Sequence, residues 1–123
     1  DAVSARRVTR LNGVTDIALT LLDVLDTFPT IQIATGYELD GANIRTVPTI
    51  SADYDRVTPV LAPIDGWLED ITAVRSYEDM PVRAREYVSR IGGLAGAPVS
   101  MVGVGPGREQ LVPVETRTPV AAH

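Results

Sequence analysis

The chain has 123 residues, a net charge of −5, no cysteine and one histidine, His123, at its last position. This length predicts one domain, or one piece of a larger domain. The missing cysteines exclude disulfides and cysteine-bound metal, and the acidic balance argues against a general nucleic-acid surface. No apolar run is long enough to span a bilayer and no charged-then-apolar leader opens the chain, so a soluble domain is expected.

Periodicity and turn residues in the first half predict a helix, a buried strand and a β-hairpin. The strand is expected to be covered on both faces because its residues are uniformly apolar. The predicted elements are a short helix stopped by Asn12-Gly13, a strand over residues 17–22, a turn over 24–28, and a hairpin of 31–39 and 44–47 joined at Asp40-Gly41.

The second half is interrupted more often by proline and glycine. Trp67, the only tryptophan, is predicted to anchor a packed loop, because large aromatic residues mostly serve packing. The predicted elements are a capped short helix over 51–55, a proline-interrupted edge strand over 58–62, a loop over 70–81, a helix over 82–96, a buried strand over 99–102, a last strand over 111–114 and a frayed tail after 116.

A glycine-rich turn, Gly103-Val104-Gly105-Pro106-Gly107, follows the buried strand near the end of the chain. Open α/β sheets bind ligands where strands end, and glycines let a ligand approach backbone donors closely. The turn is not a phosphate loop, because no Lys-Ser/Thr follows it. A tight structural turn is the alternative interpretation.

Two carboxylates, Asp23 and Asp26, end the most apolar run of the chain. A carboxylate can accept two hydrogen bonds from the N1–H and N2–H₂ edge of guanine, which adenine does not offer. Asp23 is therefore a candidate for recognition of a purine base, whereas Asp26 is predicted to cap the following turn. Sites of this kind often place a lysine two residues before the acid, where this chain has Leu21.

Several motifs occur together in a characteristic order. They are Arg10-Leu11-Asn12-Gly13, Leu19-Thr20-Leu21-Leu22-Asp23-Val24-Leu25-Asp26, Tyr37-Glu38-Leu39-Asp40-Gly41, Pro63 with Gly66-Trp67, Tyr87-Val88 through Ile91, and Val104-Gly105-Pro106 with Arg108-Glu109. Together they resemble the C-terminal portion of adenylosuccinate synthetase, over essentially the whole chain but only about the last third of the enzyme.

The resemblance implies an α/β fold: a C-terminal fragment of a P-loop-NTPase-like fold with a mixed sheet, short helices and a β-hairpin, in which residues 1–123 form one portion. It also implies a cytoplasmic, homodimeric ligase that uses GTP and Mg²⁺ to join IMP and L-aspartate into adenylosuccinate. The family's catalytic residues and Mg²⁺ ligands lie outside these residues, so the chain alone is expected to be inactive.

Carried over by position, the resemblance assigns the guanine pocket to Leu21, Leu22, Asp23, Gly103, Val104 and Gly105. The family's Lys-Leu-Asp becomes Leu21-Leu22-Asp23, and its Ser-x-Gly becomes Gly103-Val104-Gly105. All eleven basic residues are arginine, so compositional drift would have replaced the lysine by arginine. Leu21 is therefore a departure that composition does not explain.

Three hypotheses remain open. The first is a GTP-dependent adenylosuccinate synthetase in which Asp23 still selects the base. The second is a relative with changed nucleotide choice, which uses ATP or aminates a different purine nucleotide. The third is a non-catalytic binding module that reuses the fold.

Overall fold

The structure, a computed structural model, describes residues 1–13, 16–44 and 57–114. The predicted helix at 51–55, the end of the hairpin at 45–47 and the tail after 116 lie outside these ranges. In chain order the described elements are α1 (Ala2–Asn12), β1 (Ile17–Leu19), a 3-10 segment (Leu22–Leu25), β2 (Thr30–Leu39), β3 (Ala42–Ile44), β4 (Val57–Asp65), a 3-10 segment (Tyr77–Asp79), α2 (Val82–Ala95), β5 (Val99–Gly103), a 3-10 segment (Arg108–Gln110) and β6 (Leu111–Pro113).

The first sheet has the strand order β1-β5-β6 and is mixed, as the sequence predicts. β1 and β5 run parallel, with Leu19 opposite Val102, and β6 returns antiparallel, with Val112 opposite Val102. Parallel neighbours end at the same edge of a sheet. The segments that follow β1 and β5 therefore leave the sheet side by side.

β1 is shorter and less buried than predicted. The expected strand over 17–22 ends at Leu19, and Ala18 is exposed. Leu21 adopts a left-handed conformation with φ 55°, which ends the extended backbone and starts the 3-10 segment at Leu22. The apolar run is thus divided: Leu22, only 3% exposed, enters the core from the 3-10 segment and not from a strand.

The second sheet is antiparallel, with the order β3-β2-β4, and contains the predicted hairpin. Asp40 and Gly41 both have positive φ, 51° and 83°, as a two-residue type I′ turn requires. This turn pairs Leu39 with Ala42, so β3 begins two residues earlier than predicted.

β4 is an edge strand of this sheet among the described strands, as predicted, but it runs unbroken through Pro59 and Pro63. The two-residue turn directs the N–H and C=O of Leu39 toward β3 and those of Glu38 toward β4. Thr58, opposite Glu38, consequently faces β2. Alternation along β4 then places both prolines with their ring nitrogens facing outward, where no ladder hydrogen bond is lost.

Both helices end as the sequence predicts. α1 is capped by Asp1, whose side chain accepts from the backbone of Val3 and Ser4, and it stops at Gly13 with φ 61°. α2 stops at Gly96 with φ 83°. No helix in the described ranges is long and apolar enough to cross a membrane.

The main core lies between α2 and the first sheet, and it also receives Leu22 and Trp67. A smaller cluster of Ala2, Ile33 and Ile91 joins α1 and α2 to β2. The buried members of the main core are Leu22, Ile31, Trp67, Ile71, Met80, Ala84, Val88, Val99, Val102, Val104 and Val112.

Candidate functional site

The structure brings the two predicted site segments together at the edge where β1 and β5 end. A methyl group placed on Gly103 would lie 3.2 Å from Cα of Thr20 and 3.3 Å from the nitrogen of Leu21. Backbone meets backbone there, because glycine has no side chain. The sequence alone predicts both segments as candidates, and the parallel pairing of β1 with β5 explains why they meet.

Asp23 lies in the 3-10 segment directly after this edge. Its side chain is partly buried, and its Oδ1 is buried with no hydrogen-bond partner among the described residues. Buried polar atoms nearly always have a partner, and one without a donor loses hydration with no compensation. The oxygen therefore has the property expected of an acceptor that a ligand satisfies.

Leu22 and Val104 are buried, as Gly103 and Gly105 are, but they alone of these four carry side chains. Their side chains are 3% and 0% exposed and belong to the main core. A ligand at this edge would therefore meet only their backbone groups. Their side chains instead fix the 3-10 segment and the glycine-rich turn to the core.

Leu21 presents an apolar surface at the same edge. It is 51% exposed, and Leu111, 45% exposed, has its Cδ2 3.6 Å from a methyl group placed on Gly103. Gly103 therefore lies beside the backbone of Leu21 and the side chain of Leu111, and both leucines are about half exposed. Leu21 also adopts a left-handed conformation although it is not a glycine, and residues in such conformations cluster at functional sites.

The glycine-rich turn is folded around Gln110. The backbone N–H of Val104 donates to the carbonyl oxygen of Gln110 at 2.8 Å, and the N–H of Gly107 donates to its Oε1 at 2.9 Å. A methyl group on Gly105 would overlap the same side chain, at 2.1 Å from Nε2. A side chain at position 105 would therefore displace the amide of Gln110 from its place in the turn.

Asp26 does not cap the following turn, so this prediction is wrong. That turn is closed by backbone, because the N–H of Phe28 donates to the carbonyl oxygen of Leu25. The carboxylate of Asp26 instead accepts from Nε1 of Trp67 at 2.6 Å and from the backbone N–H of Ile71 at 3.1 Å. Trp67 is 5% exposed, which confirms its predicted role as a loop anchor.

Sequence reasoning did not identify Gln110 or Thr72 as part of this region. Nε2 of Gln110 donates to the carbonyl oxygen of Thr72 at 3.2 Å. Thr72 is also bonded to Asp70, whose Oδ1 accepts from its backbone N–H and its hydroxyl, and these bonds lower the pKa of Asp70. The Asp-x-Thr pattern is a readable turn signal, but nothing in the local sequence marks Gln110.

A surface groove of about 540 Å³ lies elsewhere, beside α2, and it contains none of the six predicted site residues. The described residues bring together no group of three or more acidic or histidine side chains that could hold a metal ion. The candidate site is placed at the β1–β5 edge because the unpartnered Oδ1 of Asp23 and the close approach of Gly103 to Leu21 are found there. The groove is lined by Tyr77, Val82, Arg85, Glu86, Ser89 and Arg90.

These features define the class of protein: an α/β domain whose candidate ligand site lies where two parallel strands end. The sequence profile of the family described as adenylosuccinate synthetase matches residues 1–112. The chain belongs to the adenylosuccinate synthetase family.

The chain is similar to several relatives and to solved structures of the family. It is 50% identical over 112 residues to the adenylosuccinate synthetase of Mycobacterium avium, 49% to that of Mycobacterium tuberculosis and 48% to that of Mycolicibacterium smegmatis; each comparison covers 91% of this chain and 26% of the relative. The structure of fully ligated adenylosuccinate synthetase from Plasmodium falciparum matches with a TM-score of 0.88 and 25% identity, over 94% of this chain and 28% of that one. The chain thus spans about a quarter of the length of these proteins.

Proposed function

We propose that the chain supplies the purine-base pocket for GTP in an adenylosuccinate synthetase, which joins IMP and L-aspartate in AMP biosynthesis. Family membership supports the reaction, and the relatives carry the name of that enzyme. The proposal places the chain in the C-terminal portion of a P-loop-NTPase-like fold, in a cytoplasmic homodimer. The phosphate site, catalytic residues and Mg²⁺ ligands would then come from other parts of the enzyme.

One observation carries the pocket: the buried Oδ1 of Asp23 has no donor among the described residues. The N1–H and N2–H₂ groups of guanine supply two donors at the spacing of the two carboxylate oxygens. Adenine has an acceptor at N1, so it would leave the oxygen unpaired and face it with a second acceptor. A carboxylate here therefore discriminates between the two bases.

The glycine-rich turn supports the same pocket from the other side. Gly103 lies in backbone contact with Leu21, which holds the end of β5 close to the segment that carries Asp23. The two half-exposed leucines, Leu21 and Leu111, offer apolar surface for the face of a purine ring. In this arrangement Asp23 reads the edge of the base while the leucines contact its face.

Leu21 also favours a second candidate, a relative whose preference has moved from GTP toward ATP or another purine nucleotide. Relative to the family's lysine, leucine removes a charge and a polar contact with the base. The two candidates differ in the discriminating group, because only the first depends on the carboxylate of Asp23.

The test is Asp23→Asn in the complete enzyme that carries this chain, with kcat/KM measured for GTP and ATP. Loss of a charged, bidentate acceptor is expected to lower kcat/KM for GTP by about tenfold to hundredfold. The free energy of unfolding is not expected to fall, because the substitution removes a carboxylate whose buried Oδ1 lacks a donor. Asp79→Asn, an exposed aspartate in the Tyr77–Asp79 segment, is the matched control.

An unchanged ratio of GTP to ATP activity in Asp23→Asn would overturn the pocket assignment. A wild-type enzyme that prefers ATP would favour the second candidate. Absence of ligase activity with every purine nucleotide tried would favour a non-catalytic module.

A further inference from the structure

The Asp23 segment and the glycine-rich turn are both linked by hydrogen bonds to one short loop, residues 70–72, called here the bridge. On one side, Oδ2 of Asp26 accepts from the N–H of Ile71 at 3.1 Å. On the other side, Nε2 of Gln110 donates to the carbonyl oxygen of Thr72 at 3.2 Å. The two contacts fall on adjacent residues of the bridge, and the carbonyl oxygen of Thr72 also accepts from Nη1 of Arg75 at 2.7 Å.

The bridge is itself well fixed. Ile71 is 0% exposed in the main core, and its carbonyl oxygen accepts from the N–H of Val74 at 3.0 Å. Asp70 closes the turn by accepting two hydrogen bonds from Thr72, at 2.9 Å and 2.6 Å. A packed core residue and a closed turn resist small shifts, because packed interiors have little free space.

On the Asp23 side, Asp26 is the residue immediately after the 3-10 segment that carries Asp23. Its N–H donates to the carbonyl oxygen of Asp23 at 3.0 Å, while its two carboxylate oxygens are held by Trp67 and Ile71. Both ends of Asp26 are therefore engaged, one by the candidate base-reading residue and the other by the core. The orientation of the 3-10 segment depends on this residue.

On the turn side, Gln110 is hydrogen-bonded through both ends of its side-chain amide and through its backbone carbonyl. Oε1 accepts from the N–H of Gly107, Nε2 donates to Thr72, and the backbone carbonyl accepts from Val104. Only a side chain with a donor and an acceptor on the same carbon makes both side-chain bonds. Glutamate would keep the bond to Gly107 and lose the bond to the bridge.

We infer that Asp26 and Gln110 are positioning residues, which set the separation between Asp23 and the Gly103-Val104-Gly105 turn through the bridge. They select the base without touching it. This inference rests on the proposed function, since it concerns the geometry of the same pocket. Bidentate recognition tolerates little misplacement, so a loosened bridge weakens binding of GTP more than it slows the chemical step.

The experiment uses the complete enzyme with Gln110→Leu, Gln110→Glu, Asp26→Asn and the double variant Asp26→Asn/Gln110→Leu. The matched controls are Gln32→Leu, at an exposed glutamine on β2, and Asp79→Asn. KM and kcat are measured with GTP and ATP, and amide hydrogen exchange is followed at Ile71 and Gly107.

For Gln110→Leu, KM for GTP is expected to rise about tenfold, from the loss of two hydrogen bonds, with little change in kcat. Gln110→Glu is expected to keep protection at Gly107 while exchange quickens at Ile71. The double variant is expected to raise KM for GTP by less than the product of the two single effects, because both residues act through one loop. The controls are expected to match the wild type.

The outcomes separate this inference from the proposed function. The effects of the Asp26 and Gln110 substitutions on KM for GTP could multiply independently while Asp23→Asn still changes the preference between GTP and ATP. That result would overturn the role of the bridge and leave the pocket assignment standing. A fall in kcat with unchanged KM would also overturn the role of the bridge. An unchanged preference in Asp23→Asn would overturn the pocket, and with it any role of the bridge in selecting the base.

Discussion

The indole nitrogen of Trp67 donates a 2.6 Å hydrogen bond to Oδ1 of Asp26, 41 residues earlier in the chain. The same indole packs at a tilt against Tyr87, with ring centroids 5.8 Å apart. One side chain thus joins the 3-10 segment after β1 to helix α2. The bond is short and partly buried, so its loss has a measurable cost.

Trp67→Phe is expected to lower the free energy of unfolding by about 2–4 kcal/mol. The variant leaves Oδ1 of Asp26 without its donor and replaces a buried indole by a smaller ring. Chemical denaturation followed by circular dichroism measures the change. In the Trp67→Phe background, Asp26→Leu is expected to cost less than it does alone, because the partner is already missing. Full additivity of the two changes would contradict the importance of this bond.

Gly103→Ala is expected to lower the free energy of unfolding by about 1–3 kcal/mol and to weaken nucleotide binding. The added methyl group meets the backbone of Thr20 and Leu21 at 3.2 and 3.3 Å, and backbone cannot rotate away. Gly93→Ala is the matched control, since Gly93 is exposed within α2 and a methyl group there meets nothing within 4 Å. That control is expected to gain about 0.5–1 kcal/mol. Equal effects at the two glycines would contradict the close approach of β5 to the end of β1.

Leu21→Lys is expected to lower KM for GTP by about two- to fivefold, the size of a partly exposed polar or ionic contact. The benefit is expected to shrink as salt is added. Leu68→Lys is the matched control, because Leu68 is also exposed, at 60%, and also left-handed, with φ 49°. Titration with nucleotide at two ionic strengths measures the effect. An equal response at both positions would show that the change acts through net charge and not through the pocket.

Stability is expected to fall above about pH 10, the ordinary pKa range of tyrosine. Burial raises the pKa of Tyr77, partly opposed by the nearby Arg85, and burial also raises the pKa of Tyr87. A pKa raised by folding contributes stability that is complete below the unfolded value of 10.0 and is lost as pH rises through the folded value. The chain has no lysine, so no ammonium side chain titrates in the same range.

The measurement is the free energy of unfolding between pH 9 and pH 12, an interval placed around the ordinary tyrosine pKa of about 10. Tyr87→Phe is expected to give a shallower decline than the wild type, since it removes one of the two shifted groups. An identical decline would contradict the burial of this hydroxyl as a cause.

The sequence predicted those parts of the fold that local chemistry determines. Asp40-Gly41 supplies the two positive φ angles of the hairpin, and Gly13 and Gly96 end the helices, so these elements are visible in short stretches of residues. The end of the strand that begins at Ile17 is not predictable in this way. A leucine gives no sequence signal for a left-handed conformation, whereas a glycine does. The β-branched start of the apolar run predicts a strand, and the break comes two residues beyond the strand end.

The residues of the candidate site are predictable from the sequence, but the hydrogen bonds that hold the site together are not. Residue type and position predict Asp23 and the Gly103-Val104-Gly105 turn as site residues, and the parallel pairing of β1 with β5 brings the two segments together. The partners of Asp26 and Gln110 lie 41, 45 and 38 residues away, and long-range hydrogen bonds leave no local pattern. Local sequence therefore predicts for Asp26 only a role in the nearest turn.

The two outward-facing prolines of β4 have a consequence for how the protein behaves at high concentration. The strand carries exposed Val60 and Leu61, 36% and 50% exposed, and exposed apolar residues on an edge strand favour docking of a neighbouring molecule. A strand that docks on this edge needs backbone N–H donors from β4, and Pro59 and Pro63 remove two of these donors on the outer side. Among the described strands, β4 is therefore a poor template for cross-β self-association along its outer side.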